Sequence, residues 1–242
     1  MRKLKRNSSL IAVLACLAAL AAASLAVAGT KDKDKAPSNS IIQPDKGKFN
    51  ILLNGNSVGH EEFTIEPSGA GWAVKGTTEL KAPQSPATKV TGDLTLQSDG
   101  TPVAYKWTSQ SDKTNGAEIL FANGIAKITL QMQGARPFEQ DLSFGSPMVV
   151  VLDNNLYHQY AILARLYDWS KKGIQTLPVL IPQDLTPGTI TVESVGEAAS
   201  GGKSYEGLKV STSDLEVELL LDSNHKLMRL EVPAAKVAVI RE

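Results

Sequence analysis

Four residue groupings are candidates for chemistry by residue type or spacing. Gly55-Asn56-Ser57-Val58-Gly59 fits the G-x-S-x-G pattern of a nucleophile elbow, with His60 adjacent. An elbow works because a strand-to-helix turn presents the serine at a helix N-terminus. Here Glu61-Glu62-Phe63-Thr64-Ile65-Glu66 follows and reads as another strand. The segment is therefore expected to be a hairpin loop whose glycines supply turn geometry. His60, His158 and His225 lack the H-x-x-x-H or H-x-H spacing that brings two imidazoles to one metal ion. There is no C-x-x-C and no Gly-rich phosphate loop, so neither a metal nor a cofactor is expected. Glu61 and Glu62 are neighbours, but adjacent strand residues point to opposite faces. They are not expected to act as a catalytic dyad.

The remaining grouping is a polar stripe. Asp153-Asn154-Asn155 can cap a helix, and Leu156 to Trp169 continues at period 3.6 without Gly or Pro. The spacing predicts a helix at about 154–169. Leu156, Tyr157, Tyr160, Leu163, Ala164 and Tyr167 fall on one broad apolar face, and Asn154, His158, Arg165 and Asp168 on the other. Asn154 with His158, and Arg165 with Asp168, are spaced for side-chain contact. One reading is a solvated helix face with an ordinary ion pair. The other is a ligand-binding set, in which Asn154, His158, Arg165 and Asp168 look into a cavity that Tyr157 and Trp169 help to line. A catalytic version would use His158 as acid/base with Asp168 or Arg165 in support. It requires the helix to break, because His158 and Asp168 would stand about 15 Å apart along its axis.

The elements that must position these groups are strands. Phe49, Ile51 and Leu53 alternate with other positions up to Asn54-Gly55, and Val90, Leu94 and Leu96 lead to Asp99-Gly100. Asn123-Gly124 joins Ile119–Phe121 to Ala126, Ile128, Leu130 and Met132. Such pairs between alternating runs are strong hairpin signals, because both residues tolerate positive φ. Leu215, Val217, Leu219 and Leu221 alternate with acids, Ser223-Asn224 turns, and a last strand lies near 237–240. About twelve strands are expected, with one wet face per sheet, the antiparallel habit. The apolar face of the helix then has only the sheet to cover it. The expected fold is mainly β: a strongly curved antiparallel sheet or incomplete barrel wrapped around one central helix. Burying Leu163 there is worth about 2 kcal/mol.

The ends bound the destination. Arg2, Lys3, Lys5 and Arg6 precede an uncharged run, Leu10 to Val27, that ends in Ala26-Val27-Ala28. This pattern is a signal peptide over 1–28. The alternative is a retained anchor, since a run of roughly 18 residues is just long enough to span a bilayer. Cys16 follows a lipobox-like Val13-Leu14-Ala15, yet a lipobox cysteine closes its apolar region and this one does not. Cleavage after Ala28 removes the sole cysteine and four of the 25 basic residues, leaving 21 against 25 acidic ones, a net charge of −4. A nucleic-acid partner is excluded by the lack of a basic cluster. Residues 29–47, with Lys31-Asp32-Lys33-Asp34-Lys35 and two prolines, read as a disordered charged tether. A single domain, 48–242, follows.

The stretches Leu152-Asp153-Asn154-Asn155-Leu156-Tyr157-His158-Gln159-Tyr160, Leu166-Tyr167-Asp168-Trp169 and Val179-Leu180-Ile181-Pro182-Gln183 resemble a segment of uncharacterised exported bacterial β-rich proteins. The closing Leu230-Glu231-Val232-Pro233 to Ile240-Arg241 resembles their last hairpin. More loosely, strands around a helix are similar to the half-barrel envelope proteins that carry lipids or lipoproteins. The resemblance implies the compartment and the fold and brings no catalytic residue. The expected function is that of an exported protein of the periplasm or extracellular space, non-enzymatic, binding a lipid-like ligand or another envelope protein. Its mature chain would have no transmembrane span. The alternatives are a hydrolase or hydrolase-accessory domain centred on the helix stripe, and a structural module pairing through its sheet edges.

Overall fold

The computed structural model describes residues 40–81 and 85–242. The signal peptide and most of the tether expected from the sequence lie outside these residues. The chain first lays down an antiparallel meander of eight strands: β1 (Asp45–Leu53), β2 (Asn56–Ser68), β3 (Gly71–Leu80), β4 (Thr88–Gln97), β5 (Pro102–Gln110), β6 (Thr114–Ala122), β7 (Ile125–Met132) and β8 (Phe138–Ser143). A crossover then carries β9 (Val150–Val151) and the helix α1 (Gln159–Leu166). A second meander returns through β10 (Gln175–Ile181), β11 (Thr186–Ser200), β12 (Lys203–Ser211), β13 (Glu216–Leu221), β14 (Leu227–Val232) and β15 (Val237–Arg241). The two meanders join where β15 pairs with β1, Ile51 opposite Val239. The result is one curled, open sheet whose order runs from β8 through β1 and β15 to β9. Every pairing is antiparallel except β9 with β10, and β8 approaches β11 across the opening.

Turn chemistry explains the meanders. Asn54 and Gly55, and Asn123 and Gly124, have φ of 52° and 80°, and of 52° and 74°, the doubly positive geometry of a tight hairpin turn. Ser57 of the elbow-like pattern thus sits in the β1–β2 hairpin, where its hydroxyl donates to Asn50 Oδ1 at 2.6 Å. The expected hairpin holds, but of the two glycines only Gly55 supplies turn geometry; Ser57 and Gly59 already lie in β2, paired with Leu52 and Ile51.

One face of the sheet is apolar and curls inward. Phe63, Ile65, Val74, Leu94, Tyr105, Ile119 and Ile128 are buried on it from one meander, and Val192, Val210, Leu219 and Leu230 from the other. The helix fills the interior, with Leu163 and Ala164 fully buried and Ala161 and Ile162 nearly so. None of its residues is fully exposed. No helix among the described residues is long and apolar enough to cross a membrane.

Three differences from expectation have physical causes. Among the described residues there are fifteen strands rather than about twelve, because the uneven regions around 138–143, 150–151 and 203–211 also pair. The tether ends early: β1 begins at Asp45, and Ile42 is buried while Ser40 Oγ accepts from Trp72 Nε1 at 2.8 Å and donates to Ser98 O at 2.6 Å. Finally, the sheet-edge alternative has β8 and β9, the ends of the strand order, as its edges and not the last strand. β15 lies between β1 and β14, and Arg241 in it forms a two-pronged pair with Asp45 at 2.7 and 3.0 Å.

Candidate functional site

The crossover segment 152–158 is held by polar side chains from strands far away in sequence. Tyr105 of β5 donates its hydroxyl to Asp153 Oδ2 at 2.7 Å. Thr78 of β3 donates to the Asn155 carbonyl at 2.6 Å. Glu61 of β2 accepts from the backbone N–H of Tyr157 at 2.8 Å and of His158 at 3.3 Å, and its Oε1 is also hydrogen-bonded to Nδ1 of His158. Glu61 and His158 are 0% and 1% exposed. The imidazole stacks on Phe63 at 5.7 Å, which stacks in turn on Phe49 at 5.0 Å, and Arg241 lies over both phenyl rings.

Space for the segment comes from glycines. Register aligns Phe63, Gly76, Gly92 and Trp107 in one row across β2 to β5. A Cβ on Gly76 would meet the His158 ring at 2.3 Å, and one on Gly92 would meet Leu156 at 2.4 Å. Glycine inside a strand often marks such a close approach.

This arrangement corrects the expected helix. Asp153-Asn154-Asn155 do not cap it: the Asp153 side chain is turned to Tyr105, and its carbonyl instead accepts from Asn155 and Leu156 in a tight turn. The helix starts at Gln159, behind a His158 cap position with no side-chain cap bond. The N–H groups of Tyr157 and His158, which a local cap would otherwise satisfy, are taken by Glu61, about a hundred residues earlier. The helix ends at Leu166, where Tyr167 turns to extended backbone and donates its hydroxyl to Gly173 O.

The four residues expected on one stripe, and the two aromatic residues expected to help line its cavity, are therefore dispersed. His158 is sealed in the wall with Glu61. Asn154 is exposed and Tyr157 half-buried, and both line a cavity on the other side of the segment. Arg165 is half-buried, its pKa lowered by burial and supported by Asp45 and Asp222. Asp168 pairs with Lys171 at 2.9 Å rather than with Arg165; that contact and the Ser170 hydroxyl hold its carboxyl down at about 2. Trp169 stacks on His225 at 3.9 Å beside a depression of about 500 Å³ that Tyr205 and Glu206 also line. Neither expected pair, Asn154 with His158 or Arg165 with Asp168, forms.

A cavity with an apolar wall lies beyond the crossover. It measures about 230 Å³ and lies between Tyr157 and Tyr160 on one side and Ile190, Val210 and Val217 of the second meander on the other. Asn154, Thr212 and Leu215 stand at its more exposed end. Asp153 also lines it and is only 4% exposed; one carboxylate oxygen is bound by Tyr105 and the other, Oδ1, has no hydrogen-bond partner. Burial is the chief cause that raises the Asp153 pKa above 3.8, against the lowering by Tyr105, Gln183 and His158. Burial likewise pushes the Tyr160 hydroxyl up to about 12.

A pH dependence follows for Asp153. Its folded pKa lies above the unfolded value, so the folded state binds more protons between the two. The stability it contributes is complete below the unfolded pKa and is lost as pH rises through the folded one. Asp153→Asn removes that loss, so the variant should gain melting temperature relative to wild type between pH 4 and pH 7.5. Parallel melting-temperature curves would show that Asp153 is not desolvated as described.

Sequence reasoning missed Glu61, Tyr105 and Asp153. A signal existed for Glu61: it shares the parity of Phe63 and Ile65, both buried, so alternation alone places a carboxylate on the apolar face.

Comparison with known proteins gives likeness of fold. No protein-family model matches the chain, and no curated protein matches it in sequence. Among solved structures it is similar to a beta-barrel-like protein of domain of unknown function DUF1849 from Brucella abortus, with TM-score 0.54 and 9% identity over 82% of this chain and 95% of that one. A DUF1089 family protein from Pseudomonas aeruginosa aligns with TM-score 0.47 and 11% identity over 74% of this chain and 91% of that one. The first likeness extends over nearly the whole of its neighbour and shows that the curled, barrel-like sheet is a fold this chain shares with it.

Proposed function

We propose that the chain is an exported, non-enzymatic binding protein that holds a slender apolar ligand between the crossover and the second meander. The observation that carries this reading is the apolar cavity bounded by Tyr157, Tyr160, Ile190, Val210 and Val217. Its volume is below the ~300–1,000 Å³ common for drug-sized ligands, which suits one acyl-like chain better than a bulky lipid. The basic, apolar and Ala-x-Ala leader supports export, and the resemblance to lipid-carrying half-barrels supports the ligand class. The wall is rigid by construction, because Glu61, Thr78 and Tyr105 fix the crossover to the first meander.

The test uses the full chain purified under mild conditions. N-phenyl-1-naphthylamine, whose fluorescence rises in apolar surroundings, should bind it, and native mass spectra should show a co-purified apolar ligand. Val210→Phe fills the cavity and should abolish the fluorescence rise while the melting temperature stays near wild type. Absence of both probe binding and co-purified ligand would overturn the reading, as would full probe binding by a folded Val210→Phe protein.

A further inference from the structure

The β11–β12 hairpin runs past β10: residues 196–200 of β11 pair with β12 alone. Val210 and Leu208 of β12 are buried on the inner face. Glu206 and Ser204 continue that face by alternation, with Glu197 directly opposite Glu206. The inner face thus turns from apolar to polar where the hairpin leaves the core. Trp169 and Lys172, from the loop after the helix, and Ser223 join these three side chains around a depression of about 500 Å³. That volume is within the ~300–1,000 Å³ common for small-ligand sites, and the depression shares no lining residue with the apolar cavity.

Three neighbours fix Trp169. Its indole N–H donates to Ala164 O at 3.0 Å, the His225 imidazole stacks on it at 3.9 Å, and Tyr167 meets it edge to face at 5.0 Å. The side chain is still only half-buried, so what it offers the depression is rigid aromatic carbon. The carboxylates are braced as well. Glu206 Oε2 pairs with His225 Nε2 at 2.8 Å, and Glu197 Oε1 accepts from Ser204. Their other oxygens, the Lys172 ammonium and the Ser223 hydroxyl form no hydrogen bond to another described residue. Solvation of a hairpin end accounts for the acids and serines. It does not account for an aromatic ring held in place beside them with carbon surface left open.

We infer that this depression is a second binding site, which takes an uncharged pyranose sugar. The C–H face of a pyranose ring is slightly positive and packs on the negative face of an aromatic ring. A free carboxylate oxygen only accepts and a lysine only donates, so a ligand that meets both needs groups of either sense. Sugar hydroxyls are such groups: they donate to Glu197 Oε2 and Glu206 Oε1 and accept from Lys172 or Ser223. An acidic sugar is refused, because its carboxylate would face two others.

Tryptophan quenching by acrylamide tests this on the full chain. Of the three tryptophans, Trp72 and Trp107 are 0% and 7% exposed, so the quencher reports chiefly on Trp169. Cellobiose or N,N′-diacetylchitobiose should protect that tryptophan in a saturable way, and digalacturonate should not. Glu197→Gln, at an exposed position that folding does not depend on, should weaken the protection by about tenfold or more, the order for losing a hydrogen bond to a charged group. Glu206→Gln should do the same. Val210→Phe, which fills the apolar cavity, should leave sugar binding unchanged, so the two sites stand or fall separately. No protection by either neutral disaccharide would overturn the inference, as would protection that persists unchanged in both glutamine variants. Protection by spermidine in place of the sugars would also overturn it and assign the depression to a cation.

Discussion

Glu61→Ala should lower the free energy of unfolding by about 3–5 kcal/mol, the range for removing one partner of a buried pair of ionisable groups. The carboxylate accepts from the backbone N–H groups of Tyr157 and His158 and from the His158 ring. Truncation leaves two backbone N–H groups without their acceptor and the His158 ring without its partner, each worth about 1–3 kcal/mol of desolvation if water does not enter. Against a typical total of about 5–15 kcal/mol, that loss is a large fraction. Glu61→Gln keeps the shape and one carbonyl oxygen and should cost less. Urea denaturation gives the number, and amide exchange at Tyr157 and His158 locates it: both should exchange much faster in Glu61→Ala. A loss under about 1 kcal/mol would show that the crossover is held by its apolar residues alone.

The size of that effect comes from topology. The two meanders meet through β1 and β15, and the crossover, which carries β9 and α1, runs from β8 to β10. A segment that must turn sharply inside a sheet cannot satisfy all its backbone groups locally. Glu61, Thr78 and Tyr105 from three different strands take up that deficit. To 152–158 the second meander adds only ties near its first turn, Leu180 O to the Leu152 N–H at 3.1 Å and Gln183 Oε1 to the Asn154 N–H at 3.4 Å, and the cavity lies on that side.

Much of the fold was legible because its signals are local. Alternation at period two and the Asn-Gly and Asp-Gly turns located most of the first meander, and the run from Leu156 to Trp169 located the single helix. What was not legible depends on partners distant in sequence. Asp153-Asn154-Asn155 has the chemistry of a cap, but Tyr105 competes for the Asp153 side chain and wins, so the helix begins six residues after Asp153. His158 and Arg165 look like one polar stripe on a helical wheel. They separate because His158 precedes the helix and is pulled into the sheet by Glu61, while Arg165 remains half-buried near Asp45 and Asp222. Periodicity could place Glu61 on the inner face but could not name its partner 97 residues away.

Gly76→Ala should be destabilising by about 3 kcal/mol, the upper range for overfilling a packed interior. The sign is informative, because the usual expectation is opposite. Gly76 has no positive φ, and replacing a strand glycine of ordinary backbone by alanine normally stabilises by about 0.4–1 kcal/mol through the unfolded chain. Here the new Cβ would lie 2.3 Å from His158 Cε1, 2.5 Å from its Nδ1 and 3.2 Å from Glu61 Oε1. The ring cannot swing aside cheaply, since Phe63 stacks on one side of it and Glu61 holds its nitrogen. His158→Ala alone is destabilising too, as it leaves the Glu61 carboxylate without the ring. In the double variant the methyl occupies the vacated space, so the two losses should fall short of their sum by about 1–3 kcal/mol, the coupling usual for residues in contact. Denaturant melts of the four proteins complete the cycle. Simple additivity, or a Gly76→Ala protein as stable as wild type, would mean that His158 does not occupy the trough the glycine leaves open.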